Sequence, residues 1–193
     1  MNLPNQLTVL RLILTAIFAV AMSIEFAGQY SIALILFSVA AFTDFLDGYL
    51  ARKHNLITNF GKLMDPLADK VLMCAGFVLL SEIGLIPGWL VVAILTREFL
   101  VTGLRLIAAG DGKVVSADKL GKQKTIWQIV TLIYFLLFLA SDETAFHWMR
   151  WLFDWAPTSP PIAGFLLLAL SLVLTVWSGI GYVFKNLHVL RTE

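Results

Sequence analysis

Only 14% of the 193 residues are charged, one is a cysteine and three are histidines, and each scarcity closes off a class of protein. The single Cys74 can form neither a disulfide nor a cysteine-based metal site within one chain, and its apolar neighbours mark it as a core residue. A net charge of +1 offers nucleic acid no general attraction, so the placement of charge matters more than its sum. His54, His147 and His188 are isolated from one another and receive no role. The chain also lacks internal repeats, low-complexity tracts and linkers, which makes residues 1–193 a single domain. What it has in abundance is apolar surface. At 59% hydrophobic residues and a mean hydropathy of +0.85, it belongs in a bilayer.

A spanning helix needs about 20 mostly apolar residues. Six segments qualify, near 7–27, 31–52, 63–82, 86–109, 120–141 and 161–185, so the expected fold is an all-α integral membrane protein with six transmembrane helices after an N-terminal interfacial segment. "AVA" at 19–21 resembles a signal-peptidase site, but no basic leader precedes it, and the stretch reads as an uncleaved first helix. Lysine and arginine fall on one side. Arg52, Lys53 and Lys62 occupy one connection, Lys113, Lys119, Lys122 and Lys124 another, and Lys185 and Arg191 the tail; the connections near 28–30 and 82–88 have none, and 141–160 has only Arg150. The positive-inside rule then turns both termini toward the cytoplasm and leaves the Trp-rich "FHWMRWLFDW" in the opposite interface.

Against this background the stretch "TDFLDGYLARKHNLITNFGKLMDPLADK" concentrates Asp44, Asp47, Asp65 and Asp69. On helices, spacings of three and four residues put each pair on one face, and the short polar connection makes the two helices antiparallel neighbours. Four ionised carboxylates in a partly dehydrated site repel strongly unless cations neutralise them. Hard oxygen ligands without His or Cys favour Mg²⁺ or Mn²⁺ over Zn²⁺. The plainer alternative is a set of solvated ion pairs with Arg52, Lys53, Lys62 and Lys70. Small residues favour the metal reading: Gly48, Ala51 and Gly61 leave a shelf where a phosphorylated ligand can approach backbone, and Arg52 supplies a fork suited to phosphate. Asp65 before Pro66 also has the form of a helix N-cap. Paired metals beside a phosphate-binding shelf indicate phosphoryl-transfer chemistry.

Written out, Asp44-x2-Asp47-Gly48-x2-Ala51-Arg52-x8-Gly61-x3-Asp65-x3-Asp69 resembles, at every fixed position, the signature of the CDP-alcohol phosphotransferase family. The resemblance implies six transmembrane helices, a homodimer in the bacterial cytoplasmic membrane, and two Mg²⁺ (or Mn²⁺) ions held by the four aspartates. It implies transfer of a phosphatidyl or similar group from a CDP-linked donor to an alcohol with release of CMP. "NLPNQLTVLR", "KLMDPLADK", "TREFLVTGLR" and "GKQKTIWQ" are similar, in order, to segments of members that use CDP-diacylglycerol and sn-glycerol 3-phosphate.

Arg97 and Arg105, eight apart, lie about 80° apart around a helix and can face one cavity. With Lys122 and Lys124 they form a basic pocket suited to an acceptor that carries a phosphate, and Glu98 is a candidate partner for one of these cations. Asn5, Thr8 and Thr58 are expected to meet the donor along with Gly48, Ala51, Arg52 and Gly61, though helix capping equally explains Asn5 and Thr8. Asp69, farthest along the motif, is the expected general base as well as a metal ligand. Two rival readings remain: another acceptor, inositol phosphate or phosphatidylglycerol, and a divalent-cation transporter, which would place its acidic residues at the bilayer midplane between broken helices.

Overall fold

The computed structural model describes residues 3–54, 59–110, 119–154 and 161–185, with side chains described at 5–44, 67–68, 70–105, 108, 121, 123–154 and 161–184. Six long helices form the body: α1 (Leu3–Ser23), α2 (Gln29–His54), α3 (Asn59–Glu82), α4 (Gly88–Gly110), α5 (Lys119–Ala140) and α7 (Ile162–Lys185). A 3₁₀ turn at His147–Met149 and the single turn α6 (Trp151–Asp154) link α5 to α7. No strand occurs among the described residues.

At 1.5 Å per residue the 21 residues of α1 reach about 31 Å, the thickness of a bilayer's hydrocarbon core. Among the described residues, three helices are apolar and long enough to cross: Asn5–Ser23, Gln123–Ala140 and Ile162–Phe184. Among the described residues α2 has an apolar stretch at Gln29–Asp44, and the apolar run of α4 is interrupted by Arg97, Glu98 and Arg105. The outer faces confirm the class. Leu10, Ile13, Ile17 and Val20 recur at helical spacing along an exposed face of α1, as do Val173, Val176, Trp177, Ile180 and Phe184 on α7. Apolar faces this extensive are those of a membrane protein.

Inside, α1 packs on α2 and α3, α5 on α2 and α7, and α4 on α7. Phe18, Phe37, Phe77, Leu132 and Phe135 are fully buried, with the Phe18 and Phe37 rings tilted at 5.6 Å. Gly76 lets α3 approach α5 closely: a Cβ there would come within 2.9 Å of Leu132 Cδ1.

The connections at one end are closed by specific bonds. At the end of α3, Gly84 adopts φ +78°, and Leu85 and Gly84 donate to the carbonyls of Leu80 and Ser81, both at 3.0 Å, in the paired pattern that ends a helix on glycine. At the start of α2, the Glu143 carboxylate accepts from the Tyr30 and Ser31 amides at 2.9 and 2.7 Å, and from the Ser31 hydroxyl. A carboxylate from the far connection thus satisfies the orphan N–H groups of this helix and meets its positive pole. Glu143→Ala should cost about 2 kcal/mol, the upper end of what the loss of a helix N-cap acceptor costs. The check is the melting temperature in detergent; an unchanged value would make the cap energetically idle. Arg150 pairs with Asp142 and Asp154 beside it, and Trp148 and Trp151 are exposed.

Two expectations need correction. The first helix begins at Leu3 and is continuous to Ser23, so Asn5 and Thr8 belong to it rather than to a separate interfacial segment. Its polar residues do not break it, because Thr8 and Arg11 are fully buried against protein instead of facing lipid. Asp65 is not an N-cap: α3 begins at Asn59 and carries Asp65 and Pro66 in its interior. Proline there lacks the N–H that would bond the carbonyl four residues back, and the helix continues past it.

Candidate active site at the polar end of the bundle

The described part of the aspartate cluster begins with Asp44 on α2. Its Oδ1 lies 2.6 Å from Arg11 Nη1 on α1; the Arg11 side chain is fully buried, that of Asp44 41% exposed. A buried guanidinium needs a counter-charge, and Asp44 provides it while keeping part of its carboxylate open. The neighbouring Thr43 hydroxyl turns back to the Ala40 carbonyl at 2.7 Å and does not compete for that carboxylate. Thr8, one turn before Arg11, is buried, and Asn5 is partly exposed.

The other motif residues are placed by their backbone. Asp47, Gly48, Ala51 and Arg52 continue along α2, one to two turns beyond Asp44; Gly61, Asp65 and Asp69 lie along the first half of α3. Both helices are unbroken, and they contact each other. The side chains of these seven residues lie outside the described ones, as do those at 51–66 generally, and Thr58 lies outside altogether. Among the described residues no three His, Cys, Asp or Glu side chains gather into a metal-binding group. The residue types suit a hard cation: four aspartates lie on two contacting helices, and the carboxylate of Asp44 is part-open.

A second polar cluster lies where α4, α5 and α7 meet. The Glu98 carboxylate pairs with Lys124 of α5 and with Arg97 Nη1 at 3.2 Å. Lys124 also donates to Gln128 Oε1 at 3.4 Å, and Gln128 Nε2 donates to the Thr175 hydroxyl at 3.1 Å. Arg97 Nη2 donates to Ser178 Oγ at 3.0 Å. Its stem crosses α7 at Gly179, where a Cβ would stand 2.7 Å from Arg97 Cγ. Arg97 also lines an otherwise largely apolar groove of about 410 Å³ between α4 and α7. Arg105 turns to the same helix, with Nε 3.3 Å from the Tyr182 hydroxyl and its guanidinium 5.3 Å from the ring centre. Three of the four expected basic residues are thus drawn to α4's contacts with α5 and α7; the Lys122 side chain lies outside the described ones.

The model of the CDP-alcohol phosphatidyltransferase family matches residues 1–177, which include every motif aspartate and the basic cluster. The chain belongs to this family. It is 42% identical to a Bacillus subtilis relative named CDP-diacylglycerol–glycerol-3-phosphate 3-phosphatidyltransferase, over 100% of this chain and 98% of the relative. Relatives of the same name from Rickettsia felis and Salmonella paratyphi A are each 34% identical, over 94% of this chain and 93% of theirs. Two residues of this family member were not visible as partners beforehand. Arg11 lies early in the first apolar segment, and no spacing rule links it to Asp44. The sequence makes Glu98 a partner for some nearby cation, and the fold supplies two, Arg97 and Lys124.

Proposed function

We propose that the chain transfers the phosphatidyl group of CDP-diacylglycerol to sn-glycerol 3-phosphate, giving phosphatidylglycerophosphate and CMP. The observation that carries this is full-length similarity, at 42% identity, to a relative named for that reaction, in a chain that keeps all eight motif positions. The basic cluster of Arg97, Arg105 and Lys124 supports a phosphorylated acceptor over a neutral one. The unbroken course of α2 and α3 speaks against a transporter, which needs interrupted helices at its ion site.

In this reading the donor's acyl chains lie in the bilayer and its cytidine diphosphate lies over Gly48, Ala51 and Gly61, with Asn5, Thr8, Arg52 and Thr58 as further contacts. Asp44, Asp47, Asp65 and Asp69 would hold two Mg²⁺ or Mn²⁺ ions, which would supply charge neutralisation at the diphosphate. Arg11 pairs with the Asp44 carboxylate and holds it in place. Asp69 takes the proton of the acceptor hydroxyl as that oxygen bonds the lipid-side phosphorus, while the bond from this phosphorus to the CMP oxygen breaks. No covalent enzyme intermediate is required, since the motif offers no activated Ser, Cys or His. The one-sided lysine and arginine distribution supports an active site facing the cytoplasm, and the enzyme is proposed to act as a homodimer.

The test is CMP release by purified protein in detergent with CDP-diacylglycerol, Mg²⁺ and a panel of acceptors: sn-glycerol 3-phosphate, inositol phosphate, phosphatidylglycerol, serine and glycerol. Activity with serine or glycerol in preference to a phosphorylated acceptor would overturn the assignment. In the same assay Arg105→Ala should raise the KM for glycerol 3-phosphate about 10–100-fold, the worth of one lost charge-assisted bond, and leave that for CDP-diacylglycerol nearly unchanged. Equal effects on both would remove Arg105 from the acceptor site.

A further inference from the structure

Arg11 and Asp44 form an ion pair of unequal halves. The guanidinium on α1 is fully buried, while the carboxylate on α2, 2.6 Å from it, stays part-open. Burying an arginine in a membrane bundle is costly, and a well-packed apolar side chain can hold two helices together as well as a buried ion pair does, so stability alone does not account for this one. Its location supplies a second reason. Asp44 is the first carboxylate of the motif, and α1 packs on both helices that carry the motif, so Arg11 reaches the candidate metal site from a third helix. The helix around Arg11 is itself enclosed: Thr8, one turn before it, is fully buried, and the buried Thr15 hydroxyl, one turn after it, donates to the Arg11 carbonyl at 2.8 Å.

We infer that Arg11 is a positioning residue for the metal site: from α1 it stops the rotation of the Asp44 carboxylate and orders that ligand before the cation arrives. This rests on the reading of the four aspartates as a metal site. Arg11 acts through Asp44 and not on the substrate. An aspartate that is free to rotate gives up that freedom when it binds an ion, and one already held by a guanidinium gives up less, which appears as tighter metal binding. The charge of Arg11 acts in the opposite sense, because it repels a cation nearby. Ordering outweighs repulsion here, since the guanidinium faces a carboxylate at 2.6 Å that offsets its charge.

The experiment measures Mn²⁺ binding directly, by the loss of the free-ion electron paramagnetic resonance signal, for wild type, Arg11→Met, Arg11→Lys and Thr15→Val in detergent, with and without CDP-diacylglycerol. CMP release against Mg²⁺ concentration and the melting temperature are followed on the same preparations. Arg11→Met should weaken Mn²⁺ binding about 10–100-fold, the usual worth of a group that orients a metal ligand. Excess Mg²⁺ should restore most of its turnover, which a misfolded protein would not regain. Arg11→Lys keeps the charge on a point donor in place of the planar fork and should fall between Arg11→Met and wild type. Thr15→Val removes a buried bond from the same part of α1 without touching the ion pair, and it should bind Mn²⁺ like the wild type. An unchanged Mn²⁺ affinity in Arg11→Met, an equal loss in Thr15→Val, or turnover that excess Mg²⁺ leaves unrestored overturns the positioning role. A tightened affinity overturns it too, by showing that repulsion wins. Failure of the wild type to bind Mn²⁺ under either condition overturns the metal reading itself and with it this proposal. Where Arg11→Met does not survive purification, Arg11→Lys decides the question by the same comparison with wild type and Thr15→Val.

Discussion

Asn in place of Asp44, Asp47 or Asp65, one at a time, is expected to lower CMP release about 10³-fold while the protein stays helical. The size follows from the role. A divalent cation at a diphosphate supplies several kcal/mol of charge stabilisation, and each 1.36 kcal/mol is tenfold in rate. Asn retains the shape and one oxygen of Asp but not the charge that holds a hard cation. The three variants should not be alike in stability. Asp44 pairs at 2.6 Å with the fully buried Arg11, so Asp44→Asn removes that ion pair and should also lower the melting temperature. Turnover and melting measured on one preparation separate the two effects. Wild-type turnover in any of the three variants, or full activity in excess EDTA, would end the metal account; a melting temperature unmoved in Asp44→Asn would show that Arg11 does not depend on that pair.

Much of this architecture was legible in the sequence because a bilayer imposes a strong rule. Helices of 21 to 26 residues recur close to the expected segments, and the connections fall near the expected breaks. The motif was legible because its spacing is short-range: carboxylates three or four apart share a helix face whatever the rest of the chain does. Long-range partners were not. Arg11 and Asp44 are joined only because α1 packs on α2, and Glu143 reaches the start of α2 from a connection more than a hundred residues away. Asp65-Pro66 misled for a local reason. An acidic residue before proline has the form of a helix start, yet the helical run already begins at Asn59, and the cost of one missing N–H did not stop it. Arg97 was legible as costly in a membrane, but its route past α7 depends on the absence of a side chain at Gly179, which no periodicity reveals.

Asp69→Asn is expected to separate binding from chemistry. Asp69 lies one turn beyond Asp65 on α3, at the end of the motif farthest in sequence from the Gly48, Ala51 and Arg52 shelf. As general base it contributes only once the acceptor hydroxyl is in place, and loss of a positioned base costs about 10²–10⁴ in rate. Donor binding draws instead on that shelf and on ions still anchored by Asp44, Asp47 and Asp65, and it should survive in large part. The measurement pairs CDP-diacylglycerol affinity by calorimetry with CMP release in the same preparation, with Asp44→Asn as the reference. Donor affinity lost as severely as in Asp44→Asn would make Asp69 chiefly a metal ligand, and near-normal turnover would take the proton-accepting role away from it. Affinity kept with turnover gone is the outcome the proposed mechanism requires, because only a residue that meets the acceptor's proton late in the reaction divides the two in that way.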